Sequence, residues 1–141
     1  LGGVQRGQSP LWSRAPQENI QEVHVAGEEM PIFTRTFDFL TWLLPVTNNF
    51  PRPHRHTFTQ RLLNAAFDLR EYLEEANHRH GQARQERLAR ADEALERVRL
   101  YLRLAVRWGW LSGGQYEHVA KMVAEIGRLL GGWRKQTLAT A

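Results

Sequence analysis

From Phe33 onward the apolar positions of this chain fall on helical spacing. Phe33, Phe37, Leu40 and Leu44 step by four, three and four, which predicts a first helix with those residues on one face. Phe39, Trp42, Leu43 and Val46 lie off that stripe, so the segment is apolar nearly all round. Such a helix calls for burial on more than one side: either it is central or it meets another subunit. In an antiparallel four-helix bundle every helix keeps one outward face, so the subunit contact is favoured. Phe37, Phe39, Trp42, Leu43 and Val46 are then the candidate oligomer-interface residues. Pro45 lacks a backbone donor and crowds the carbonyl four residues earlier, which predicts a kink or stop near Thr41 to Pro45, at about 3 kcal/mol if the segment stayed helical.

The turn-forming run Asn48-Asn49-Phe50-Pro51-Arg52-Pro53 ends this helix. A second begins by Thr57 at the latest, where Thr57 and Gln60 have capping-box spacing. It runs through Phe58, Leu62, Ala65, Ala66, Leu69, Leu73 and Ala76 and closes at Gly81. The third has the most regular pattern: Leu88, Ala91, Leu95, Val98, Leu102 and Ala105 alternate three and four without a miss, and Gly109 follows. Ser112 and Gln115 form a second capping-box pair, opening a fourth helix that carries Tyr116, Val119, Ala120, Val123, Ile126 and Leu130 inward and closes at Gly131-Gly132. Four amphipathic helices joined by short loops pack antiparallel. The fold class is therefore all-α, an antiparallel up-down four-helix bundle over residues 30–135. Residues 1–29, rich in Gly and Pro and without sustained period, read as a flexible arm. Residues 136–141 read as a tail, and Met30-Pro31 reads as a natural start.

Composition narrows the chemistry. The 141-residue chain has no cysteine, which removes disulfides, thiolate metal sites and cysteine nucleophiles. Phe37 to Val46 is about half the ~20 apolar residues that span a bilayer, and no export signal is visible in 1–29, so the expectation is a soluble, cytoplasmic protein with no membrane partner. Net charge is +4; residues 1–29 hold two arginines and four glutamates, leaving 17 cations against 11 acids beyond them. Seventeen of the 19 cations are arginine. The guanidinium fork suits phosphate, although a host-wide compositional bias accounts for the excess equally well.

Candidate chemistry is sparse. His54/His56 and His78/His80 have the only metal-like spacings, yet residues two apart on a helix diverge, so neither a metal nor another cofactor is expected. Glu71, Glu74 and Glu75 beside Arg70 read as a solvated helix face rather than acid–base partners, and no nucleophile motif appears. The basic residues say more. Arg52, Arg55 and Arg61, with His54 and His56, open the second helix, while Arg97, Arg99, Arg103 and Arg107 close the third, where Arg97, Arg103 and Arg107 point away from the leucine stripe. Antiparallel pairing brings the two sets to one end of the bundle. The candidate nucleic-acid-binding residues are thus Arg52, Arg55, Arg61, Arg97, Arg103 and Arg107, on a surface that attracts phosphates and weakens with salt.

Four segments carry a resemblance: FDFLTWLLP (Phe37 to Pro45), FPRPHRHTFTQRL (Phe50 to Leu62), LRLAVRWGWLSGGQYEHVA (Leu102 to Ala120) and EIGRLLGGW (Glu125 to Trp133). Together they resemble the accessory variability determinant proteins, Avd, of diversity-generating retroelements. The resemblance departs at His56, where the family has an aromatic. It implies a homopentameric barrel of four-helix bundles, not itself an enzyme, that associates with the element's reverse transcriptase and with template RNA or complementary DNA. It implies a basic surface at Arg52, Arg55, Arg61, Arg103 and Arg107. The alternative is a generic four-helix-bundle interaction protein of the kind encoded in ribosomal RNA intervening sequences.

Overall fold

Four helices account for most of residues 30–140, the part of the chain described by a computed structural model. They are α1 (Pro31–Thr47), α2 (Gln60–Asn77), α3 (Gly81–Arg107) and α4 (Gly113–Ala139). The expected arm, 1–29, lies outside the described residues. Each helix packs on two neighbours, α1 on α2 and α4, and α3 on the same pair, so α1 and α3 sit on a diagonal. Cross-helix contacts fix the directions: Arg87 meets Glu75 and Arg97 meets Asp68 between α3 and α2, Arg134 meets Asp92 between α4 and α3, and Phe33 meets Trp133 between α1 and α4. All neighbours run antiparallel. Among the described residues no helix is long and apolar enough to cross a membrane.

The core follows the predicted stripes in three helices. Leu62, Leu69 and Leu73 of α2, Leu88, Leu95 and Val98 of α3, and Val119, Ile126 and Leu130 of α4 have no solvent exposure. Each stabilises the fold by about 1.5–3 kcal/mol through removal from water. Tyr116 and Ala120 of α4 are only half-buried.

Helix α1 is phased differently from the expectation. Its buried face is Ile32, Phe33, Thr36, Phe39, Leu43 and Thr47, while Phe37 is 62% exposed and Leu44 48%. Phe39 and Leu43, expected at an oligomer interface, are core residues with no exposure; Trp42 and Val46 are half-buried. Two threonines make the inward seam invisible to a purely apolar reading. Thr36 Oγ1 donates to the Ile32 carbonyl at 2.8 Å and Thr47 Oγ1 to that of Leu44 at 2.8 Å, so both hydroxyls are satisfied inside the helix and can be buried.

Several boundaries also move. Pro45 does not stop α1, which continues to Thr47 before three turn bonds, Asn48 to Pro45, Asn49 to Val46 and Phe50 to Thr47, close it. Thr57 caps nothing. The chain turns helical already at Arg52, through a 3₁₀ turn (Arg52–His54) and a π turn (Arg55–Thr59), and α2 begins without a side-chain cap. Gly81 does not close α2, which ends at Asn77; with φ +57° it opens α3 instead. Gly131 and Gly132 do not close α4. The helix runs on to Ala139 because Trp133 and Thr137 beyond them are buried, so the expected tail 136–141 is helical as far as Ala139.

The capping box at α4 forms as expected: Gln115 N donates to Ser112 Oγ at 3.0 Å and Ser112 N to Gln115 Oε1 at 2.9 Å. Ser112→Ala should therefore lower stability by about 1 kcal/mol, seen as a lower urea midpoint with an unchanged m-value. An unshifted midpoint would mean that the cap contributes nothing to this helix.

Candidate nucleic-acid interface

The end of the bundle where α2 begins and α3 stops is built on aromatic rings. Phe58, buried in the π turn, sits edge-on to Tyr101 at 5.5 Å, Trp108 at 5.5 Å and Trp110 at 5.0 Å. Phe50 closes on Phe58 at 6.2 Å and on Trp110 at 5.9 Å. His54 stacks on Trp110, centroids 5.2 Å apart and planes 18° from parallel. The turn after α3 makes this possible. Gly109 takes φ +79°, a conformation open to glycine, and the chain folds back so that Trp110 N donates to the Ala105 carbonyl at 2.8 Å. Trp108, at the C-cap of α3, is thereby left 49% exposed.

Arginines surround this cap. Arg52 and Arg55 lie on the turns flanking His54, Arg61 on the first turn of α2, and Arg107 is the last residue of α3; all are exposed. Among the described residues no carboxylate lies within ion-pair distance of Arg52, Arg55, Arg61, Arg103 or Arg107. Arg97 differs: it reaches Asp68 of α2 at 3.6 Å, both side chains nearly half-exposed. Such a pair is worth under about 1 kcal/mol, yet it cancels the charge locally.

The six arginines do not form one flat patch. Arg97 is on the flank of α3 that faces α2. Arg103 lies one turn beyond Arg99, whose guanidinium packs against Gly127 of α4, so helical phase puts Arg103 on the opposite flank. Arg107 lies between the two. The cations wrap the end of α3 and continue onto the turns before α2. The sequence reading missed the aromatics Phe50, Phe58, Trp108 and Trp110, although all four fall within its matched segments; the dipeptide spacing of Trp108 and Trp110 around Gly109 was the available signal.

Other features are electrically mixed. A groove between α1 and α4 is lined by Arg35, Asp38, His118, Lys121, Met122 and Glu125. Arg128 donates to Glu125 at 2.8 and 2.7 Å and holds its carboxyl below the usual carboxylate range, so this groove has no net preference for anions. Among the described residues no group of three or more His, Cys, Asp or Glu is placed to share a metal ion. His54 is engaged with Trp110, and His78 caps the end of α2 at the other end of the bundle.

The molecule is thus a helical-bundle scaffold whose distinctive chemistry is displayed at one end. The chain belongs to the bAvd-like family, the bacterial Avd-like proteins, whose model matches residues 30–137. Avd homologues are non-catalytic accessory proteins, and membership implies a retroelement context. Among solved structures, a protein of unknown function from the S23 ribosomal protein family of Bacteroides thetaiotaomicron is similar, with a TM-score of 0.67 and 16% identity over 74% of this chain and 95% of that one. At that identity the likeness shows the fold alone. A comparison with curated proteins finds no match.

Phe58 is the buried ring that joins Phe50, Tyr101, Trp108 and Trp110 at this end. Phe58→Ala should lower stability by about 3–5 kcal/mol and shift tryptophan emission to longer wavelength as Trp108 and Trp110 become wetter. A wild-type unfolding midpoint would show that the cluster adds nothing to the fold.

Proposed function

We propose that this protein is a non-enzymatic accessory factor of a diversity-generating retroelement, acting in the cytoplasm. It binds the element's reverse transcriptase and its template RNA or complementary DNA, and so supports mutagenic complementary-DNA synthesis. Family membership supplies the retroelement setting. The observation that carries nucleic-acid binding is the set of exposed arginines at one end, Arg52, Arg55, Arg61, Arg103 and Arg107, which have no carboxylate partner among the described residues. Exposed guanidinium groups without internal partners are the arrangement that polyphosphate chains attract.

Self-association is the second element of the reading, a homopentamer by resemblance to the family. Its surface is the seam between α1 and α2, the least extensive of the four neighbour contacts. Arg70 ties this seam, donating to the Phe33 carbonyl at 2.8 Å and to Glu74 at 2.7 Å. One turn further along the antiparallel register, Phe37 of α1 and Phe67 of α2 are 62% and 40% exposed, and Leu44 continues the strip at 48%. A second copy of the chain covers this strip, with Phe37 retained from the expected interface residues and Phe39 and Leu43 supporting from within the core, whereas Trp42, packed on His118 of α4 at 5.5 Å, and Val46 lie on the other flank of α1.

Charge reversal of Arg52, Arg55, Arg103 and Arg107 to Glu should weaken binding to a short RNA and make the plot of log K against log salt shallower by about 3, at ~0.7 per phosphate contact, with thermal unfolding nearly unchanged. Wild-type protein that fails to bind RNA or to retain the neighbouring polymerase in a nuclease-treated pull-down at low salt overturns the proposal. Phe37→Glu combined with Phe67→Glu should reduce the mass seen by light scattering to that of one chain while helicity is retained. A wild-type protein that is already a single chain in that measurement would refute the self-association.

A further inference from the structure

Trp108 is an exposed aromatic face close to several arginines in the chain and the fold. Trp110, two residues on, is half-buried under His54 and Phe50, and Phe58 is buried. Trp108 instead keeps 49% of its surface in water. It is held firmly nonetheless. Its backbone N donates to the Leu104 carbonyl at 2.9 Å, and Phe58 at 5.5 Å and Trp110 at 5.0 Å brace the ring at interplanar angles of 61° and 57°. Both neighbours meet it at an angle, so neither lies flat over the indole. Arg107 precedes it in sequence, Arg55 lies on the turn that carries its neighbour Phe58, and Arg52 on the turn that carries His54, which stacks on its other neighbour Trp110.

A rigid, half-exposed indole on the same end of the bundle as exposed arginines that have no carboxylate partner among the described residues is suited to a ligand that presents a flat ring next to a negative charge. A nucleotide does so when its base is unpaired. Duplex bases are stacked on one another and offer phosphates only, whereas a single strand offers phosphate and ring together, and such stacking tolerates any base. We propose that Trp108 is a stacking platform for an unpaired base of a single-stranded nucleic acid whose phosphates lie on Arg52, Arg55 and Arg107. This rests on the reading of the arginine-bearing end as a nucleic-acid surface and adds a preference for single strands over duplex.

The test measures binding of the full chain to a fluorescein-labelled 12-nucleotide RNA and to the same strand annealed to its complement, across a salt series. Wild-type protein binds the single strand more tightly than the duplex. Trp108→Ala loses about 5- to 100-fold in single-strand affinity, the range for removing one aromatic platform, with duplex affinity and salt slope unchanged. Trp108→Phe, which keeps a ring, retains most of the affinity. Arg55→Glu with Arg107→Glu weakens both ligands and lowers the slope. Unchanged duplex binding by the Trp108 variants doubles as the check that they are folded. If Trp108→Ala leaves the single-strand to duplex ratio at the wild-type value while the arginine variants still weaken binding, the platform is overturned and the basic surface stands. If it weakens both ligands equally, the ring supports the surface rather than meeting a base, and the platform is likewise overturned. If wild-type protein binds neither ligand at low salt, the reading of this end as a nucleic-acid surface falls, and the platform with it.

Discussion

The register of α2 against α3 is the constraint on which the rest of this molecule depends. Leu62, Leu69 and Leu73 on one helix and Leu88, Leu95, Val98 and Leu102 on the other are buried at 2% exposure or less, and this is the most extensive helix pair in the bundle. Sliding one helix past the other by a single turn, ~5.4 Å, would expose a leucine at each end. The same slip would separate Glu75 from Arg87 and Phe58 from Tyr101, Trp108 and Trp110. Burial therefore sets which end of α2 meets which end of α3. The arginines come together there as a consequence, since none of the five exposed ones, Arg52, Arg55, Arg61, Arg103 and Arg107, adds to the core.

How much of this could be read from the sequence depends on how purely apolar each seam is. Helix α3 keeps its stripe free of polar residues, and all six predicted inward positions are buried. Helix α1 does not. Its inward seam includes Thr36 and Thr47, while Phe37 and Leu44 face outward, so ranking positions by hydrophobicity selects a face rotated from the true one. The threonines become legible only once their bonds to carbonyls three and four residues back are known. The end of α4 was hidden for a different reason. Two adjacent glycines cost about 1 kcal/mol each in a helix, a local signal to stop. Burial of Trp133 against Phe33, with Arg84 over its ring at 5.6 Å, outweighs that signal. Tertiary packing of a residue beyond the breaker is not visible in the breaker itself.

At the candidate site, topology was legible and phase only partly so. The gathering of both arginine sets at one end follows from antiparallel packing alone. Cancellation of Arg97 by Asp68 does not, because the pair spans two helices and needs their register. The division of Arg97 and Arg103 onto opposite flanks of α3 follows from the six-residue step from one to the other, about 600° of rotation at ~100° per residue. It shows only when the faces toward α2 and α4 are known. The aromatic cap was the largest omission. Its rings come from three separate stretches, Phe50 to Phe58, Tyr101, and Trp108 to Trp110, and each taken alone resembles ordinary core or loop.

The electrostatics of the two helix ends also differ in a way that bears on binding. A helix C-terminus has partial negative charge, so Arg107 at the end of α3 is favourably placed in the isolated chain. The start of α2 has the opposite sign. Its preceding 3₁₀ and π turns and its own first turn hold no acidic residue and no side-chain cap, yet they carry Arg52, Arg55 and Arg61. Cations at a helix N-terminus are disfavoured by about 0.3–1 kcal/mol each where exposed. Stability alone would select aspartate or glutamate at these positions, as capping preferences do elsewhere. The helix dipole favours Arg107 but not Arg52 and Arg55. The backbone there is bonded through the turns, with Gln60 N donating to the Arg55 carbonyl, so what a polyanion laid across the start of α2 would relieve is the crowding of these arginines, and the residues that add nothing to the free bundle would favour its bound state.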